Sequence, residues 1–168
     1  MIDLELTRDP SDRRSYHLDG IGTVRLEGLF GRTGSARAVD GRGWRFTRRG
    51  FWRRIIEAVD ATGAKVGEFT PRDLSRGGRL RWGPRELALQ PVSMRERYVL
   101  RENDHELALL TARGWGKRPV KITVVDPHAI DPALLLFAAF AVHQLAGDSL
   151  NAGSAGSAAV ASTGSYSG

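Results

Sequence analysis

Cysteine is absent from the 168 residues, which removes disulfides, a thiol nucleophile and Cys-ligated metals from consideration. Lysine is nearly absent too, with only Lys65, Lys117 and Lys121, so the formal charge of +6 rests almost wholly on arginine. A GC-rich genome produces the same bias, so the preference alone carries no functional message. Catalytic signatures are also missing. Gly20 and Gly22 lack the third glycine and the following helix of a dinucleotide loop, and Ser11, Ser15 and Ser93 have no G-x-S-x-G context. His17, His105, His128 and His143 share no ligand spacing, which leaves His143 as a hydrogen-bonded residue at the end of an apolar stretch. The N-terminal stretch mixes Asp3 and Glu5 with its apolar residues and is not a secretory signal, so a cytoplasmic protein is expected. Neither an enzyme, a cofactor nor a metal is expected.

Long hydrophobic runs are the next absence. The most apolar stretch, between Asp131 and Gly147, is uninterrupted only from 132 to 142, which as a helix covers about 16 Å against a hydrocarbon core of about 30 Å. It is too short to span a membrane. Asp131 suits an N-cap, Pro132 the first helical position and Gly147 the position beyond the end, predicting a helix over 131–146. A surface helix keeps a polar stripe, yet Leu134, Leu135, Leu136, Phe137, Phe140 and Val142 point all round this axis. Such a helix needs cover on every side.

The rest of the chain supplies that cover. With 41% apolar and 26% charged residues the composition is that of a globular domain. From 1 to 125 it is broken every six to ten residues by Gly, Pro, Asp or Asn, with alternating or β-branched runs between. Strands are predicted at about 2–6, 15–19, 22–28, 35–39, 43–48, 52–60, 64–70, 78–82, 85–91, 95–102, 105–113 and 117–125. Asp60 and Gly63 fit a tight hairpin turn, as do 39–44 and 101–105, and Pro84, Pro91 and Pro119 fall at strand ends. A single sheet cannot surround a helix, whereas a closed ring of about a dozen strands is wide enough to hold one. The expected fold is a mainly β domain over 1–148, an antiparallel barrel enclosing a central helix. Residues 149–168, almost entirely Gly, Ser and Ala, are expected to form a flexible tail.

The stretch Ile56-Glu-Ala-Val-Asp60, through Gly63 to Val66-Gly67-Glu68-Phe69, together with Val124-Val125-Asp126-Pro127 leading into Asp131-Pro132, resembles the tubby C-terminal-like superfamily. That superfamily includes the LURP-one-related proteins and the phospholipid scramblases, and the likeness covers about 15–147. The resemblance implies a non-enzymatic protein that binds phosphoinositides or other membrane lipids. The chain departs from the scramblases in having no palmitoylatable cysteine cluster and no acidic calcium loop, so lipid scrambling is not expected.

Charge supplies the candidate site. Arg32, Arg37, Arg42, Arg45, Arg48, Arg49, Arg53 and Arg54 face one acid, Asp40, so this segment holds +7 in a chain of net +6. Alternation puts Trp44 and Phe46 inward and Arg45 outward, with Arg48 and Arg49 at a turn and Arg53 and Arg54 on the next strand. Guanidinium groups fork onto phosphate oxygens and Trp52 suits a headgroup interface, so Arg45, Arg48, Arg49, Trp52, Arg53 and Arg54 are the expected ligand-binding residues. The partner is an anionic membrane surface or phospholipid headgroup, with the protein peripheral at the membrane. Three alternatives stay open: nucleic acid, a protein partner, and a solvated face paired to Asp40, Glu57 and Glu68.

Overall fold

The computed structural model describes residues 1–50, 54–72, 77–93, 97–111 and 120–154. Each segment of alternating hydrophobicity becomes a strand, because only alternation lets one face meet the core while the other meets water. In chain order these are β1 (Ile2–Arg8), β2 (Ser15–Leu18), β3 (Gly22–Glu27), β4 (Thr33–Ala38), β5 (Gly43–Arg49), β6 (Ile55–Asp60), β7 (Lys65–Pro71), β8 (Gly78–Trp82), β9 (Arg85–Ser93), β10 (Arg97–Glu102), β11 (His105–Thr111) and β12 (Val120–Val124). Every strand pairs antiparallel with the next, and β1 pairs with β12 from Ile2↔Val124 to Leu6↔Val120, closing the barrel. The expected turn at Asp60 is present: Gly63 has φ 83°, and Asp60 Oδ1 accepts from the Thr62 and Ala64 amides. Asn103 at φ 53° turns β10 into β11.

Inside the ring lies α1 (Pro132–Ser154). Asp131 caps it, its Oδ1 accepting from the Ala133 amide at 2.6 Å. Every residue from Ala133 to Val142 is buried, which accounts for a helix with no polar stripe. Phe46 of β5 meets Phe137 and Phe140, each with ring centroids 5.2 Å away. The helix leans on β4, whose inward residues Gly34, Ala36 and Ala38 are all small. A Cβ on Gly34 would stand 2.7 Å from Phe140 Cε2, so only glycine leaves room for that ring. Among the described residues no helix is long and apolar enough to cross a membrane.

Four expectations need correction. The helix does not stop at 146 but runs through Gly147 to Ser154, so the first residues of the expected tail, 149–154, are helical. An interior glycine costs only about 1 kcal/mol relative to alanine and no proline follows, so Gly147 permits a stop without imposing one. Residues 155–168 lie outside the described residues. Pro91 is not at a strand end but within β9, tolerated because the β9–β10 register shifts beside its partner Tyr98. Arg48 and Arg49 are not at a turn, since β5 continues to Arg49. The strand expected from 52 begins at Ile55, so Arg54 precedes it; Trp52, Arg53 and Pro119 lie outside the described residues.

Candidate functional site

The expected arginine cluster separates into three environments. Arg45 points outward, as alternation from buried Trp44 and Phe46 requires. Arg48 obeys the same alternation and turns inward at the end of the barrel, where its Nη1 donates to Gln144 Oε1 of α1 at 3.4 Å. Arg49 is outward but committed, its Nε 2.9 Å from Glu57 Oε2. Arg54 is exposed just before β6 with φ 49°. Among the described residues the expected patch is therefore not one continuous face. Arg48 belongs to the mouth of the barrel and Arg49 to a surface ion pair.

The structure gives Arg45 different neighbours. On the outer face of β2 to β6 lies an open trough of about 570 Å³, lined by Arg25, Arg37 and Arg45 with the hydroxyl residues Ser15, Thr23 and Ser35. Strand register builds it: Ser35 of β4 stands opposite Arg25 of β3 on one side and Arg45 of β5 on the other. With strands spaced about 4.8 Å apart, the two arginine backbones are roughly 10 Å from each other, and Arg37 lies two residues along the strand between them. Arg25 Nε is tied to Asp12 Oδ2 at 3.1 Å, and the Ser35 hydroxyl donates to Glu27 Oε1 at 2.8 Å. Arg37 and Arg45 have no carboxylate within ion-pair distance among the described residues. The Asp60 carboxylate at the edge of the trough is occupied by the Thr62 hydroxyl and by the Thr62 and Ala64 amides, which hold its pKa below the ordinary carboxylate value. It stays ionised, with its Oδ1 bonded to its own hairpin.

Two other charged sites on the barrel are paired. Between β7 and β8 a smaller depression of about 290 Å³ is lined by Lys65, Glu68 and Arg81, and there Lys65 is bonded to Glu68 and also reaches Glu57. These bonds raise the Lys65 pKa, the contact to Glu68 contributing most. At the opposite end of the barrel from Arg48, Arg85 grips both oxygens of Glu102 at 2.8 and 2.7 Å and the Ala129 carbonyl at 2.8 Å, fixing the segment that leads into α1. Both sites satisfy their own charges and leave nothing over for a ligand.

Two His–Asp pairs escaped the sequence reading because each forms between sequence-distant residues. His17 Nε2 is 2.9 Å from Asp9 Oδ2, and His105 Nε2 is 3.2 Å from Asp126 Oδ2. In the first, Ser11 Oγ also donates to Asp9, so the carboxylate stands between hydroxyl and imidazole. A nucleophile relay needs the imidazole in that central place. Among the described residues no three His, Asp or Glu side chains gather as metal ligands would. His143 is half-buried beside Gly31 at the barrel mouth, and burial pushes its pKa down to about 4.

No family model, curated protein or solved structure matches the chain.

Proposed function

We propose that the protein is a non-enzymatic binding protein of the tubby-like class, peripheral on the cytoplasmic face of a membrane, whose ligand is the phosphate-bearing headgroup of an anionic lipid. The observation that carries this reading is the pair Arg37 and Arg45, two outward guanidinium groups without carboxylate partners over a trough with hydroxyl neighbours. Arg42, Arg49 and Arg85 are each paired to a carboxylate, whereas Arg37 and Arg45 stand on neighbouring strands without one. Leaving two adjacent ones unpaired keeps their donor forks open for phosphate oxygens. The cytoplasmic leaflet offers a negative surface worth about 1 kcal/mol per nearby basic residue.

Sedimentation with vesicles tests this. Phosphatidylcholine vesicles containing phosphatidylserine or a phosphoinositide should carry the protein down at low salt, and phosphatidylcholine alone should not. Added salt should weaken the binding because the arginines are exposed. Arg37→Gln with Arg45→Gln should lower partitioning about 30-fold, following the same 1 kcal/mol per charge. Retention of DNA or RNA with a steep logarithmic salt dependence, in place of vesicle binding, would assign the trough to nucleic acid instead.

A further inference from the structure

The outward arginines of the trough lie on β3, β4 and β5, and an exposed apolar side chain stands in the chain before and after β4. Among the described residues the large hydrophobic side chains left exposed are Met1, Ile2, Leu29, Val39 and Val92. Single exposed hydrophobics are ordinary on protein surfaces. What distinguishes Leu29 and Val39 is where they stand. Leu29, 82% exposed, opens the single 3-10 turn Leu29–Gly31 that leads into β4, and Val39, 70% exposed, follows the last residue of β4. The six residues of β4 between Thr33 and Ala38 span about 20 Å. Arg37 is on that strand, with Arg25 and Arg45 on its two neighbours.

We infer that the barrel lies on its side on an anionic bilayer, with β4 along the surface, Arg25, Arg37 and Arg45 at the level of the lipid phosphates, and Leu29 and Val39 inserted at either end. This rests on the lipid-headgroup reading above and gives that site an orientation. The partner follows from the combination of chemistries. A soluble phosphate ester would fill the trough and give Leu29 and Val39 nothing to bind, and a nucleic acid backbone would present them with charge. A bilayer offers phosphate at one depth and hydrocarbon just beneath it. Of the acids near this face, Asp12 is bonded to Arg25 and Asp40 to Arg42, while Asp60 and Glu27 keep their charge beside the trough.

The absence of cysteine makes the test specific, because one introduced thiol is the only place a thiol-reactive fluorophore can attach. Leu29→Cys, Val39→Cys and Val92→Cys are each labelled with a polarity-sensitive dye in the whole chain. All three positions are exposed, and Val92 stands on β9, five places from β4 in the ring of twelve. With vesicles of phosphatidylcholine and phosphatidylserine, the dyes at 29 and 39 should brighten severalfold and shift to shorter wavelength, while the dye at 92 stays unchanged. Leu29→Ser with Val39→Ser should lower partitioning about tenfold. Response at 29 and 92 with silence at 39 would mean that the barrel stands on end and would overturn the side-on orientation. Sedimentation with vesicles but silence at all three positions would overturn insertion and leave the headgroup reading intact. No sedimentation at all would remove the headgroup reading and this inference together.

Discussion

The side-chain amide of Gln144 donates to the main-chain carbonyl of Gly31 at 2.6 Å, joining the central helix to the turn that presents Leu29. Gln144 is the one buried polar side chain among the described residues, and its oxygen also accepts from Arg48. Replacing it by leucine keeps the volume but leaves the Gly31 carbonyl and the Arg48 guanidinium with one partner fewer. An unsatisfied buried group costs about 1–3 kcal/mol. Gln144→Leu should therefore lower the urea midpoint by a corresponding amount and raise hydrogen exchange in the 29–31 turn. An unchanged midpoint with unchanged exchange would mean that the turn is held by other contacts.

His143, one residue before that clamp, makes stability depend on pH. Its folded pKa, pushed to about 4, lies below the ordinary histidine value of 6.5, so the unfolded chain takes up the proton first. The contribution is complete above pH 6.5 and is lost as pH falls from there towards 4. The depressed carboxylates Asp12, Asp40, Asp60 and Glu102 give up their own contributions only at lower pH, below their ordinary values of 3.8 and 4.5. Denaturation of the parent chain between pH 7 and 5 should show a falling midpoint, and His143→Asn should flatten that slope. An equal slope in both would assign the dependence to other groups.

Closure of the barrel round the helix is tested from the helix and from the barrel wall. Ala139 of α1 is 1% exposed, and Ala139→Arg would bury a charge with no partner. The variant should be recovered only as aggregate. Gly34→Val, on β4, drives side-chain atoms into the Phe140 ring and the Arg25 carbonyl and should cost about 1–3 kcal/mol. A soluble Ala139→Arg protein with unaltered circular dichroism would mean that the helix is peripheral.

The fold was legible because its determinants are local. Turn chemistry at Asp60 and Gly63 and period-two alternation set most strand limits to within a few residues, and an apolar helix without a stripe required enclosure on every side. The site was less legible because it is made by register. Arg25 lies outside the arginine-rich stretch, and only the pairing of Ser35 with both Arg25 and Arg45 brings it to the same face. Nothing in a linear charge count contains that alignment. Arg48 is different, because the alternation that buries Trp44 and Phe46 continues to it. Its inward direction was readable, but the run Arg48-Arg49-Gly50 looked like a loop.

The contrast between paired and unpaired arginines leads to a prediction that separates binding from stability. Arg49 is bonded to Glu57, so Arg49→Gln removes a favourable surface pair and should lower stability by about 0.2–1 kcal/mol. Arg37 and Arg45 share a face with Arg25, and neither has an ion pair to offset their mutual repulsion, since Asp12 is committed to Arg25 and Asp60 to its own hairpin. Glutamine keeps most of the aliphatic stem and removes only the charge. Arg37→Gln and Arg45→Gln should leave the melting temperature unchanged or raise it slightly, while each weakens binding to phosphatidylserine vesicles about fivefold. The effect on stability should grow at low salt, where repulsion is least screened, and disappear at high salt. A loss of stability in both variants would show that these side chains are structural, and the trough would then lose its claim to be a site kept open for a ligand.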